Sequence, residues 1–247
     1  MPGTRTAGLL ALGGIALAAL LAVIGHVEVN DDLSPWSLTV SDFAVSDRGG
    51  VIDTAMVVLA LATAVLLVPL RRAAPALTRR SVTGSGRGPF GWAEALLTTW
   101  VLGLLLAAVV PTNEPGLPMD TAAYVHRYAS VVAFLALPVG GWLLAGRLPA
   151  TAGRWVRGLA VASMVLAAAM VWSAYPGDRV LIGLVERLLI LTEVAALTVL
   201  ALTVARPATR DHAVVVPDKG GEAPENDHHN CMIDAATARP VTPARAA

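Results

Sequence analysis

Three ionisable residues stand inside one apolar stretch near the end of the chain, Glu186, Arg187 and Glu193 in the run from Val180 to Val204. A charged group in hydrocarbon is costly, so each of them needs a partner or a purpose. Glu186 and Glu193 are seven positions apart, which puts them on nearly the same face of a helix, the face expected to point into a bundle. Counting from Val180 at about 1.5 Å per residue sets Glu193 roughly 20 Å along the helix, near the middle of a bilayer. At that depth it either stays protonated and hydrogen-bonded to a backbone carbonyl or relays protons. The Arg187 side chain leans toward the N-terminal end of its helix, from where it can reach out of the hydrocarbon or pair with Glu186.

Other polar residues fall at a similar depth. Ser41, Asp42, Asp47 and Arg48 lie in the first long loop, Asp53 opens the next apolar run, and Asp120 or Thr121 caps a later one with His126 and Arg127 one to two turns inside. If the second, fourth and sixth helices run inward, their positive N-terminal ends gather at the outer face. With Arg48, Arg127, Arg179 and Arg187 nearby, such a cluster could hold a lipid phosphate or a carboxylate. The candidate ligand site is therefore Ser41, Asp42, Asp47, Arg48, His126, Arg127, Glu186 and Arg187, with Glu193 as the candidate proton relay. Acids and arginines at matched depth can equally neutralise one another and lock helix packing.

Sharper chemistries fail on residue counts. A haem carrier needs paired axial ligands, and His126 is the one histidine well inside an apolar run, with His26 at an edge. A zinc hydrolase needs three or four ligands, and the apolar region offers too few histidines and no cysteine. The tail residues His228, His229 and Cys231 have ligand chemistry without a framework to aim it. Ser41, Ser46 and Ser130 sit in no Gly-x-Ser-x-Gly elbow, and Gly84, Gly86 and Gly88 precede no Lys-Ser or Lys-Thr. Neither a cofactor nor a metal is expected.

The elements that must position these groups are visible in the composition. Hydrophobic residues make up 55% of the 247 positions and charged ones 15%, with a mean hydropathy of +0.65, against roughly 25% charge in a soluble domain. Six apolar runs approach the ~20 residues that span a bilayer: Gly8 to Ile24, Val51 to Leu70, Ala93 to Val110, Ala122 to Leu144, Val156 to Trp172 and Val180 to Val204. None alternates as a barrel strand would, so helices are expected. Arginine sets the orientation. Arg71, Arg72, Arg79, Arg80 and Arg87 crowd one loop and Arg147, Arg154 and Arg157 another, while the alternate loops are acidic or mixed. Arg5, Arg206 and Arg210 fit the same scheme.

The expected fold class is thus all-α, a polytopic membrane bundle of six transmembrane helices with both termini cytoplasmic. It covers residues 1–206, and residues 207–247 read as a disordered cytoplasmic tail rich in Pro, Ala and charge. The first run also resembles a signal peptide, although it is long for one and no clean small-x-small site precedes His26. Net charge is zero and the basic residues sit in short loops, so no nucleic-acid partner is expected. One lysine among eighteen basic residues suits a high-GC bacterial source and hence a bacterial plasma membrane.

The order of these segments carries a resemblance. Leu33-Ser34-Pro35 leading to Val40-Ser41-Asp42-Phe43-Ala44, then Val110-Pro111-Thr112-Asn113, His126-Arg127 and Gly183-Leu184-Val185-Glu186-Arg187 together resemble the bacterial membrane family catalogued as domain of unknown function 998. The likeness runs from about Gly8 to Arg206. It implies six helices and no established activity, and where such families commonly carry aspartate after the Pro-Thr pair this chain has Asn113. The reading of the residues is a membrane protein of unassigned activity, more a binder than an enzyme, whose partners are membrane lipid and a lipid headgroup or small anion. A proton-coupled transporter using Glu193 and a lipid-modifying enzyme using His126 are the alternatives.

Overall fold

The computed structural model describes residues 2–27, 34–45, 49–78, 90–113 and 117–206. Asp47 and Arg48 lie outside the described residues, as does the tail from 207 onward. Six long helices account for most of the rest: α1 (Pro2–Val27), α3 (Gly49–Thr78), α4 (Phe90–Val109), α5 (Thr121–Ala145), α6 (Ala150–Ala174) and α7 (Ile182–Ala205). All six are long and apolar enough to cross a membrane, which makes this a multi-pass membrane protein by length and composition. A short α2 (Val40–Ala44) interrupts the first loop.

Each long helix packs against its neighbours in the chain, and α1 closes the circle against α7, which also touches α3 and α5. Small residues allow that closeness, as expected where apolar lipid removes most of the hydrophobic drive for helices to associate. A Cβ on Gly8 of α1 would lie 2.5 Å from the Ala205 nitrogen and 2.8 Å from the Ala201 carbonyl, so α1 and α7 meet backbone to backbone there. The core contains many alanines, among them Ala11, Ala60, Ala93 and Ala201.

The outer surface is apolar, with residues such as Leu10, Leu61, Leu102, Val165 and Leu191 exposed, where a water-soluble bundle would place polar groups. Five of the six tryptophans, Trp36, Trp92, Trp142, Trp155 and Trp172, are exposed near helix ends or in the adjoining loop, where amphipathic rings meet a membrane interface. The sixth, Trp100, is buried.

Two expectations need correction. Arg154 and Arg157 do not belong to the connection between α5 and α6; they lie in the first turns of α6, exposed while Ala152, Gly153 and Val156 face inward. The apolar run alone marks where hydrocarbon begins, whereas the helix continues into the interface. The first long loop also holds the helix α2, nucleated by a capping box in which Thr39 Oγ1 accepts from the Asp42 N–H and Asp42 Oδ2 accepts from the Thr39 N–H at 2.8 Å.

Candidate functional site

The N-terminal ends of α3 and α7 meet around α2, which touches α1, α3 and α7. Gly183 makes this possible. Its backbone N–H donates to the Trp36 carbonyl at 3.1 Å, and any Cβ there would collide with the carbonyls of Leu38 and Pro35. Four residues on, Arg187 turns back over the same segment, its Nη1 donating to Pro35 O at 2.8 Å, Leu38 O at 2.9 Å and Gly183 O at 2.9 Å. Its guanidinium stands 5.0 Å from the centre of the buried Phe43 ring, which stacks on His26 at 4.9 Å. Glu186, 6% exposed, accepts from the Val40 N–H at the first residue of α2. The Glu-Arg pair of α7 thus grips both ends of the turn that leads into α2.

Beside this lock lies a cleft of about 890 Å³ between α5 and α6. Its polar rim brings together Ser41 and Asp42 from α2, His126 and Arg127 from α5, Arg179, and Glu186 from α7. Arg187 does not line it, since its charge is spent on the α2 turn. Ser41 Oγ lies 2.9 Å from Thr39 Oγ1, and Asp42 Oδ2 also meets Arg179 Nη2 at 3.3 Å. The His126 Nδ1–H donates to the Val110 carbonyl at 2.9 Å, and because a carbonyl only accepts, Nε2 of the neutral ring is the acceptor. Asp53 lies within electrostatic range of His126. Arg127 makes no ion pair among the described residues and is exposed.

Arg179 is held over the cleft by an unusual turn. Asp178, Arg179 and Leu181 have φ of 48°, 61° and 55°, the left-handed region that non-glycine residues avoid. One backbone and one side-chain hydrogen bond brace it, with Arg179 N donating to Ser173 O at 2.8 Å and Ser173 Oγ to Val180 O at 2.5 Å. Backbone of this kind persists only where the surrounding structure holds it.

Away from the rim the walls are apolar, with Phe134, Leu135, Met164, Val171 and Leu189. Pro138 leaves the Phe134 carbonyl without its helical donor, a break in the α5 ladder beside the cleft wall. At the opposite ends α5 and α6 close up. A Cβ on Gly153 would strike the Ala145 carbonyl, and one on Gly141 would sit 3.4 Å from Val156.

Glu193 is not part of the cleft lining. It is 3% exposed, its Oε2 accepts from Trp100 Nε1 at 3.2 Å, and its Oε1 has no partner. The expected partner was a backbone carbonyl; the observed one is an indole across the ring. Toward the other end of the bundle Arg71 meets Glu94 at 3.7 Å, and burial lowers the pKa of Arg147 while Glu94 acts against that. Among the described residues no three His, Cys, Asp or Glu side chains gather in a way that would hold a metal ion.

The cleft's apolar walls escaped the sequence reading because nothing distinguishes them from any lipid-facing residue. Thr39 was legible, since Thr-x-x-Asp is close to a capping-box signature.

A family model described as "Protein of unknown function (DUF998)" matches residues 11–203, from α1 into α7. No curated protein and no solved structure matches the chain.

Proposed function

The chain belongs to this family, and from that premise we propose that it is a plasma-membrane protein of a bacterium that binds an anionic group, from a lipid headgroup or a small anion, on the rim of the α5–α6 cleft. The observation that carries this reading is Arg127, which makes no ion pair among the described residues and lines the same cleft as Arg179, whose own partner Asp42 is shared with the α2 cap. A phosphate or carboxylate between the two arginines accepts charge-assisted hydrogen bonds that neither finds fully within the protein. The positive-inside rule puts the Arg71 and Arg147 end in the cytoplasm, so both termini are cytoplasmic and the cleft faces outward.

His126 as acid or base in a lipid-modifying enzyme is supported by one feature, the Nε2 that the Nδ1–H bond to the Val110 carbonyl leaves as an acceptor. Proton-coupled transport is supported by one feature, the partnerless Oε1 of Glu193.

The test is retention of phosphatidylglycerol by the purified full chain in native mass spectrometry. Arg127→Ala combined with Arg179→Ala should lower retention at least tenfold; retention equal to the parent's overturns the assignment.

A further inference from the structure

The anion on the rim accounts for only part of the cleft. Beneath the arginines lie the apolar side chains of Phe134, Leu135 and Met164, which a bare phosphate would leave uncovered. Apolar surface of that extent calls for an apolar occupant.

The cleft is open sideways. Val131, Leu135, Met164 and Val171 line it, yet they are 45%, 41%, 40% and 58% exposed, so the wall they form is continuous with the surface that faces lipid. Its depth is also informative. His126 to Leu135 on α5 is nine residues and Met164 to Ala174 on α6 is ten, about 13.5 and 15 Å at the helical rise. Half of a hydrocarbon layer of ~30 Å is about 15 Å. Deeper in, the contact of Gly153 with the Ala145 carbonyl shuts α5 against α6.

We infer that the cleft admits an acyl chain of a lipid sideways between α5 and α6, from the leaflet beside α2, with the headgroup on Arg127 and Arg179. This rests on the anion-binding reading above and adds the tail slot to it. The slot is one leaflet deep, so it takes a lipid in its membrane orientation without turning it over.

Two measurements on the full chain test the slot. In the first, phosphatidylglycerol carrying a diazirine on its acyl chain is photolysed with the parent protein and the labelled peptides are mapped. Labelling concentrated on residues 131–135 and 164–171 is expected; labelling spread evenly round the outer surface overturns the inference. In the second, Ala167→Trp and Ala168→Trp, each confirmed as folded by size exclusion, fill the apolar wall while leaving the arginines alone. Each should lower phosphatidylglycerol retention at least tenfold, while Leu102→Trp on the outer face of α4 changes nothing.

Full retention in both cleft variants, with loss in the double arginine variant, removes the tail slot and keeps the anion site. Full retention in every variant removes both. Since the photolabelling needs no substitution, it decides the matter even where a tryptophan disturbs folding.

Discussion

The indole N–H of Trp100 on α4 points at Glu193 on α7, 3.2 Å from Nε1 to Oε2, in a ring where the two side chains are 2% and 3% exposed. This is a bond between polar groups with nowhere else to turn. Trp100→Phe keeps an aromatic ring, though a smaller one, and removes the donor, leaving the Glu193 carboxyl without its hydrogen bond. The expected loss is about 1–3 kcal/mol, read as a lowered thermal midpoint in detergent. Glu193→Gln retains an acceptor for the indole and should cost under about 1 kcal/mol. If Glu193 relays protons, that same variant abolishes proton-coupled uptake in proteoliposomes while remaining folded, so stability and transport separate the two roles.

Gly183 is the position where α7 and the turn before α2 come into backbone contact. Alanine is the better helix former by up to about 1 kcal/mol, so a helical glycine with free space around it should gain from the change. Gly13 has nothing within 4 Å of its missing Cβ, whereas Gly183 faces two carbonyls. Gly13→Ala is expected to be neutral or stabilising. Gly183→Ala should lower the thermal midpoint and weaken phosphatidylglycerol retention together, because the turn that carries Ser41 and Asp42 is displaced.

Arg187 and Arg179 carry the same charge in different settings. Arg187 donates to three backbone carbonyls, two of them part-buried, and sits against Phe43, so Arg187→Ala removes all of these bonds and should cost roughly 1–3 kcal/mol. Arg179 has a side chain 48% exposed and one carboxylate partner, so Arg179→Ala should cost under about 1 kcal/mol after solvent screening. Denaturation of the two variants side by side checks the order. Equal losses would show that Arg187 does not hold the α2 turn.

Reporter tags fused to the two ends should both read out on the cytoplasmic side. A tag inserted between Asn113 and Leu117 should read out on the opposite side. Opposite readings for the two termini would leave the rim of the cleft without a consistent membrane face.

The length and apolarity of six segments are legible in the chain, because hydrocarbon leaves a backbone no choice but to satisfy itself within a helix. That Glu186 and Glu193 point inward is equally legible, since charge in lipid is too costly to leave facing it. The tertiary structure decides what each buried group does. Helices that are apolar nearly all round carry no stripe to set their rotation, so azimuth is left to packing. The decisive partners are also far apart along the chain, 93 residues between Trp100 and Glu193, 146 between Val40 and Glu186, and 149 between Leu38 and Arg187. Packing therefore divides one apparent cluster at matched depth into a lock, where Arg187 and Glu186 hold the segment of Ser41 and Asp42, and a rim, where Arg127 stands over the cleft. Spacing along a single helix cannot distinguish them, since Arg127 on α5 and Arg187 on α7 each lie within the first two turns of their own helix and differ in which neighbour the closed ring brings to each.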